Sequence, residues 1–395
     1  MFRKRIKLGK ARKIWLRAWS LGLILALVIG MVSVSPRAQG ASAPPSVSAK
    51  AAVLIHGDTG EVLFAKNEKE RLSMASTTKI MTSLLALEQA AVSNPEITLT
   101  PEMVTVEGSS MGLKAGYRLP LRDLAVGMLT VSGNDAANSA AIAMAGSKEE
   151  FAKRMNARAA QLGMNDTHFV TPSGLDDPEH YSTAYDMAIL GAAAIDNEDF
   201  LSICSQKQVP VKFLVPDQTV RYSNHNRLLS MYEGCIGIKT GFTKKSGRCL
   251  VSAAERNGVR LVAVTLNAPD DWMDHQKMFD YGFSVLQSYE IDDSGVSLSL
   301  PVVGGVLETV PIVGGTGEPL VLTEEQHAKL KRVVELPRFA YAPIEPGQVL
   351  GTVRYELDGK TVAAVPLAAG GQVAALPVER SWWQKIGAWF AGWFS

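Results

Sequence analysis

With 395 residues, 47% of them hydrophobic, and a formal net charge of +1, the chain is long enough for two domains and too apolar for bulk disorder. The near-neutral total hides an asymmetry: nine basic groups and no acid lie in residues 1–40, which leaves 31 basic against 39 acidic groups beyond them. That mildly acidic body argues against a nucleic-acid binder, and cysteines and histidines without C-x-x-C or H-E-x-x-H spacing give no metal site and call for no cofactor.

Residues 1–40 read as a signal peptide or N-terminal membrane segment. A basic stretch precedes the 14-residue apolar run Leu21–Val34, short for a span of roughly 20 residues and suited to a secretory signal core. Cleavage after Ala38 or Gly40 and an uncleaved anchor are the two alternatives, and both export the chain. Export leaves a disulfide open among Cys204, Cys235 and Cys249, although an odd count leaves one thiol unpaired in a monomer. Residues 41–48, with Pro44-Pro45, read as a linker.

Strands are expected at Ala51–His56 and Glu61–Ala65, around the turn Gly57-Asp58-Thr59-Gly60. From 80 to 200 the periodicity is mostly helical. Helices start near Pro101 and Pro120, an alanine-rich helix covers Asp135–Ala145, and others cover Ser147–Leu162 and Thr183–Ala194. Strands return after Lys207 at Cys235–Thr240, Arg248–Glu255 and Val259–Leu266. The turn Asn257-Gly258 joins the last two, and a helix over Trp272–Ser288 follows. Strands from both ends of residues 49–290, with a helical insert between them, give a mixed α/β domain with an antiparallel sheet flanked by helices.

Residues 291–376, rich in Val, Leu, Gly and Pro, read as a small all-β domain. Residues 377–395 read as a terminal amphipathic helix. Trp382, Trp383, Trp389 and Trp393 recur with Ile386, Phe390 and Phe394 at helical spacing. The segment is too short to span, so the membrane interface is its expected place; docking on the protein's own core is the alternative.

Three short motifs carry chemistry. Ser76-Thr77-Thr78-Lys79 opens a helical run, and residues three apart on a helix can meet, so an amine can take the Ser76 proton. Ser76 in a first turn also lies among backbone N–H groups that favour developing negative charge. Ser132-Gly133-Asn134 comes 56 residues after Ser76, between a helix end and the next helix, and Lys239-Thr240-Gly241 comes 107 residues after Ser132, on an expected strand. Taken singly, Ser76, Ser132 and Asn134 could be helix caps and Lys239 a surface lysine on an edge strand. Ordered together, they match the set shared by penicillin-binding proteins and class A β-lactamases.

On these motifs, and on Ser182–Ala188 and Asn226–Leu229, residues 48–290 resemble the low-molecular-mass penicillin-binding proteins that act as serine-type D-Ala-D-Ala carboxypeptidases. The resemblance implies a transpeptidase-like fold with the tail as a membrane anchor; a spacer that lifts the active site off the membrane is the default expectation for the β-domain, whose role the sequence leaves open. It implies an exported enzyme of the cell envelope at the outer face of the cytoplasmic membrane. Its partners would be peptidoglycan stem peptides ending in D-Ala-D-Ala, β-lactam antibiotics and a membrane surface. By resemblance, Ser76 is the nucleophile, Lys79 its neutral base and Ser132 a proton relay. Asn134 bonds the substrate amide, Lys239 and Thr240 take the terminal carboxylate, and Gly241 leaves room along the strand edge. The N–H groups of Ser76 and Phe242 form the oxyanion hole.

One departure stands out: some relatives place an arginine in the turn after the last sheet strand, where this chain reads Asp270-Asp271-Trp272-Met273-Asp274-His275. Carboxylate recognition then falls to Lys239 and Thr240, or to Arg248 if geometry permits. A β-lactamase is disfavoured, since no Glu-x-x-x-Asn lies between Ser132 and Lys239. A D,D-endopeptidase and a non-catalytic peptidoglycan-binding protein remain as alternatives.

Overall fold

Alternation along one strand sets the architecture. In the computed structural model, which describes residues 43–377 and Trp383, every residue of the strand Ala51–His56 is buried. Ala51, Val53 and Ile55 join one hydrophobic core; Ala52 and Leu54 join another. A strand sends successive side chains to opposite faces, so a strand whose apolar residues fill both must be covered on both.

The strand belongs to a five-stranded antiparallel sheet, in the order Val62–Lys66, Ala51–His56, Val259–Leu266, Gly247–Arg256, Cys235–Thr243. On one face Gly191 of the helix Ala184–Ile195 lets that helix approach Val251, Val262 and Ile238. On the other, Gly282 of the helix Asp271–Val285 packs against Leu54 and Leu261. The helical insert, including Lys79–Val92, Leu121–Thr130, Asn134–Ala145 and Lys148–Gln161, shares the first core.

Several boundaries move for local reasons. The helix expected to reach Ser288 ends at Val285, where the chain becomes the strand Leu286–Asp292. Two further elements join those expected: the short helix Glu198–Cys204 and the hairpin Gln208–Phe213/Gln218–Ser223, whose first strand alternates buried Val209, Val211 and Phe213 with exposed Gln208, Pro210 and Lys212. The end of the expected linker is pinned, because Asp274 accepts from Ser48 N at 2.9 Å and Ala49 N at 3.1 Å.

The C-terminal β-domain has a third core, around Leu300, Ile312, Val353 and Val365. Its six-stranded sheet runs in the order Lys331–Glu335, Val349–Leu357, Lys360–Ala369, Thr309–Val313, Ser297–Val303, Ala340–Tyr341. It is not purely β: Glu324–Lys329 is a short helix with a Thr323/Gln326 capping box. Gln326 also donates to Glu61 at 2.9 Å, tying this helix to the first hairpin of the five-stranded sheet. The expected signal segment, and the tail helix apart from Pro377 and Trp383, lie outside the described residues. Among the described residues no helix is long and apolar enough to cross a membrane.

Candidate active site

Ser76 lies in a 3-10 turn, Ala75–Thr78, that runs into the helix Lys79–Val92. The tighter winding matters. In a 3-10 turn side chains three apart eclipse, and Lys79 Nζ sits 3.0 Å from Ser76 Oγ. The Lys79 amine also donates to the Ser173 carbonyl at 2.6 Å. Lys79 is fully buried. Burial, then the neighbouring Lys239, hold its pKa well below the ordinary lysine value, against the opposing pull of Asp135.

The residue before Ser76 adopts a left-handed conformation, Ala75 at φ +49°, which costs an L-residue about 1–2 kcal/mol. A buried histidine braces it. His180 Nδ1 accepts from Val170 N at 2.9 Å, which puts the proton on Nε2 to donate to Thr78 Oγ1 at 2.8 Å. Thr78 Oγ1 in turn donates to the Ala75 carbonyl at 2.8 Å. Burial lowers His180 to about 4, so the ring stays neutral and the chain of donors holds.

Ser132 is also left-handed, at φ +62°. Its Oγ accepts from Lys239 Nζ at 3.1 Å. Asn134 donates to the Glu107 carbonyl at 2.6 Å, while its Oδ1 is buried without a partner. Neither residue caps the helix Asn134–Ala145, whose N-cap is Gly133. A Cβ on Gly133 would meet Asp135 Oδ1 at 2.7 Å and Met111 N at 2.9 Å, which explains the glycine. Asp135 fastens the facing loop by accepting from Met111 N at 2.7 Å and Leu113 N at 3.0 Å.

Lys239, Thr240 and Gly241 lie on Cys235–Thr243, the edge strand of the five-stranded sheet. Lys239 is no surface lysine. It is buried, and burial lowers it to about 7. A Cβ on Gly241 would lie 3.1 Å from Ser76 N and 3.0 Å from Thr77 N. Glycine here lets the strand close on the serine turn and brings the Phe242 backbone beside it. The Phe242 side chain itself is exposed at the mouth.

A cleft of about 270 Å³ joins these parts, lined by Ser76, Ser132, Thr240, Gly241 and Phe242 together with Ser109, His225, Arg248, Asp271 and Trp272. The turn that lacks an arginine therefore reaches the cleft after all, with an acid. Asp271, buried, accepts from Arg248 Nε at 2.9 Å. The Arg248 guanidinium also lies 5.4 Å from the Trp272 ring centroid. Arg248 stands opposite Phe242 across the sheet register, which is why a residue of the neighbouring strand arrives here. Ser109, His225, Ser173 and His180 had no motif to single them out. Sequence adjacency to Asn226 was the one available signal for His225. Cys204, Cys235 and Cys249 are free thiols, and the described residues hold no metal-binding cluster.

A family model described as D-alanyl-D-alanine carboxypeptidase matches residues 38–270, and one described as penicillin-binding protein 5, C-terminal domain, matches residues 288–375. The chain is 34% identical over 334 residues to D-alanyl-D-alanine carboxypeptidase DacF of Bacillus subtilis (strain 168), covering 81% of this chain and 85% of that protein. It is 34% identical over 376 residues to D-alanyl-D-alanine carboxypeptidase DacC of Escherichia coli (strain K12), covering 89% and 92%. The crystal structure of penicillin binding protein 5 from Haemophilus influenzae superposes with a TM-score of 0.61 at 31% identity, over 84% of this chain and 99% of that one.

Proposed function

The chain belongs to the D-alanyl-D-alanine carboxypeptidase family, and from that premise we propose how its own residues carry the reaction. It is a serine-type D-alanyl-D-alanine carboxypeptidase of peptidoglycan metabolism, in a family that acts on D-Ala-D-Ala peptides and binds β-lactams.

In the proposed mechanism neutral Lys79 takes the Ser76 proton while Ser76 Oγ attacks the carbonyl of the penultimate D-Ala. The carbonyl oxygen becomes an oxyanion facing the Ser76 and Phe242 N–H groups, where one such donor is worth about 3–4 kcal/mol in a comparable hydrolase. As the C–N bond breaks, the proton passes through Ser132 to the leaving amine, and free D-Ala departs. Water then attacks the acyl-Ser76 ester and gives its proton to Lys79. The shortened peptide leaves and Ser76 is restored. A β-lactam follows the first half of this path, but its amine stays tethered after ring opening.

Thr240, protonated Lys239 and Arg248 receive the terminal carboxylate, and Asn134 bonds the substrate amide. The substrate backbone adds along the open edge of Cys235–Thr243, a strand-addition mode that Gly241 leaves unobstructed. At the membrane, the 377–395 tail lies in the lipid interface, and residues 1–40 direct export. Residues 291–376 act as a spacer between membrane and cleft.

The observation that carries this reading is the pairing of two lysines with two serines in one place: Lys79 with Ser76 at 3.0 Å and Lys239 with Ser132 at 3.1 Å. A pure binder would have no use for two buried, depressed amines against two hydroxyls. The test is D-alanine release from a soluble peptide ending in D-Ala-D-Ala. The parent chain releases it, and Ser76→Ala falls by at least about 10⁴-fold while still binding the peptide. Activity within tenfold of the parent would remove Ser76 as nucleophile.

A further inference from the structure

The β-domain carries an apolar surface that its own core does not use. Beneath it, Leu300, Ile344 and Val373 are buried. Above them Val303, Val306, Leu307, Phe339, Tyr341 and Leu376 are 44% to 70% exposed. They are brought together by the edge of the six-stranded sheet. Val303 stands opposite Tyr341 in the parallel register, so both side chains leave the same face. The Phe339 ring meets the Tyr341 ring edge-on, with centroids 5.3 Å apart. Leu376 N donates to the Gly304 carbonyl at 2.8 Å and Val306 N to the Ala374 carbonyl at 2.9 Å, which sets the last described strand segment beside this turn.

Position decides what the patch meets. The chain leaves it at Leu376 and enters at once the stretch 377–395, which holds four of the seven tryptophans. If that tail lies in the lipid interface, the patch is delivered to the same surface. Its composition suits that place: an aromatic pair with a phenol, set among aliphatic side chains, is favoured at headgroup depth. Exposed Glu308 and Glu345 lie close in sequence to the patch residues. Their carboxylates keep the contact shallow, because burying them in hydrocarbon is costly.

We propose that this face of the β-domain is a second membrane contact: Val303, Phe339, Tyr341 and their neighbours rest in the headgroup–acyl boundary of a lipid bilayer and fix the domain against the surface to which the tail tethers it. The proposal rests on the tail reading given above but asks more than a flexible tether would supply.

The experiment uses the full chain carrying Phe339→Cys in a Cys235→Ser background, since Cys204 and Cys249 are buried. The new thiol is labelled with an environment-sensitive dye, and vesicles of phosphatidylethanolamine and phosphatidylglycerol are added. Co-sedimentation reports binding of the chain, and D-alanine release from a soluble peptide reports an intact fold. The expected result is a blue-shifted, severalfold brighter dye only when vesicles are present. A dye at Val334→Cys, on the opposite edge strand of the same sheet, stays unchanged. A chain that co-sediments while the 339 dye stays silent overturns the patch and leaves the tail reading standing. A dye already blue-shifted before vesicles means that the tail or a second copy covers the patch, and overturns it. Failure to co-sediment removes tail and patch together. Independently, Phe339→Ser with Tyr341→Ser weakens vesicle partitioning about tenfold; unchanged partitioning overturns the proposal.

Discussion

The cleft and the β-domain spend their buried volume differently. Around the cleft Lys79, Lys239, Ser132, Asn134, Asp135 and His180 are all buried. Beyond residue 275, Asp293 is the one buried polar or charged residue among the described residues, and it is matched by Arg332 at 2.8 Å and the Tyr355 hydroxyl at 3.0 Å. Backbone strain divides in the same way. Among the described residues six non-glycine residues are left-handed: four are Asn or Asp, which tolerate that region, and the other two are Ala75 and Ser132. The lesson is that desolvated amines and strained turns are concentrated where chemistry needs them, while the β-domain buries a single carboxylate among its described residues and pairs it.

That contrast can be broken most sharply at Ser132. Ser132→Gly should lower kcat for D-alanine release by about 10²–10³-fold through loss of the relay. It should also raise unfolding stability by about 1 kcal/mol, because glycine relieves the +62° backbone. Loss of activity together with loss of stability would deny the trade. Arg248→Gln should come next, combined with Asp271→Asn so that no buried carboxylate loses its partner. It should raise KM for a carboxylate-ending peptide about tenfold and leave an amidated peptide unaffected; equal losses on both would exclude Arg248 from carboxylate recognition.

A smaller effect follows from pH. Burial puts Lys239 at about 7, below its ordinary value. The ammonium that receives the carboxylate is therefore present below that pH and lost above it. KM for the acidic peptide should rise severalfold as pH passes from about 6 to about 9. The stability sign is opposite: between the folded and unfolded pKa values the unfolded chain binds more protons, so this lysine makes stability rise with pH from about 7 upward. Lys239→Met should flatten that rise in a thermal melt. The smallest catalytic effect belongs to the β-domain. Asp293→Asn should cost about 1–2 kcal/mol of stability and leave kcat on a soluble peptide unchanged.

The sequence by itself determined the order of elements, the antiparallel sheet and the identity of the three motifs. These are local signals: short, nearly continuous apolar runs bounded by turn residues reveal Ala51–His56 and Val259–Leu266, Asn-Gly marks the hairpin, and Ser-x-x-Lys needs only the i, i+3 proximity of one turn. The seven-residue length of Glu198–Cys204 gives little periodicity, and Pro210 interrupts the otherwise alternating strand Gln208–Phe213 of the hairpin at 208–223. Only tertiary structure decided that Lys239 is buried against Ser132, across 107 positions of chain, because desolvation depends on what packs around a side chain and not on its neighbours in sequence. The same holds for Arg248. No motif marks it, and its place in the cleft follows from strand register opposite Phe242 and from an acid, Asp271, contributed by a helix 23 residues further on. His180 completes the pattern: its role is to hold Thr78 and through it the strained Ala75, a coupling through space that residue spacing does not encode.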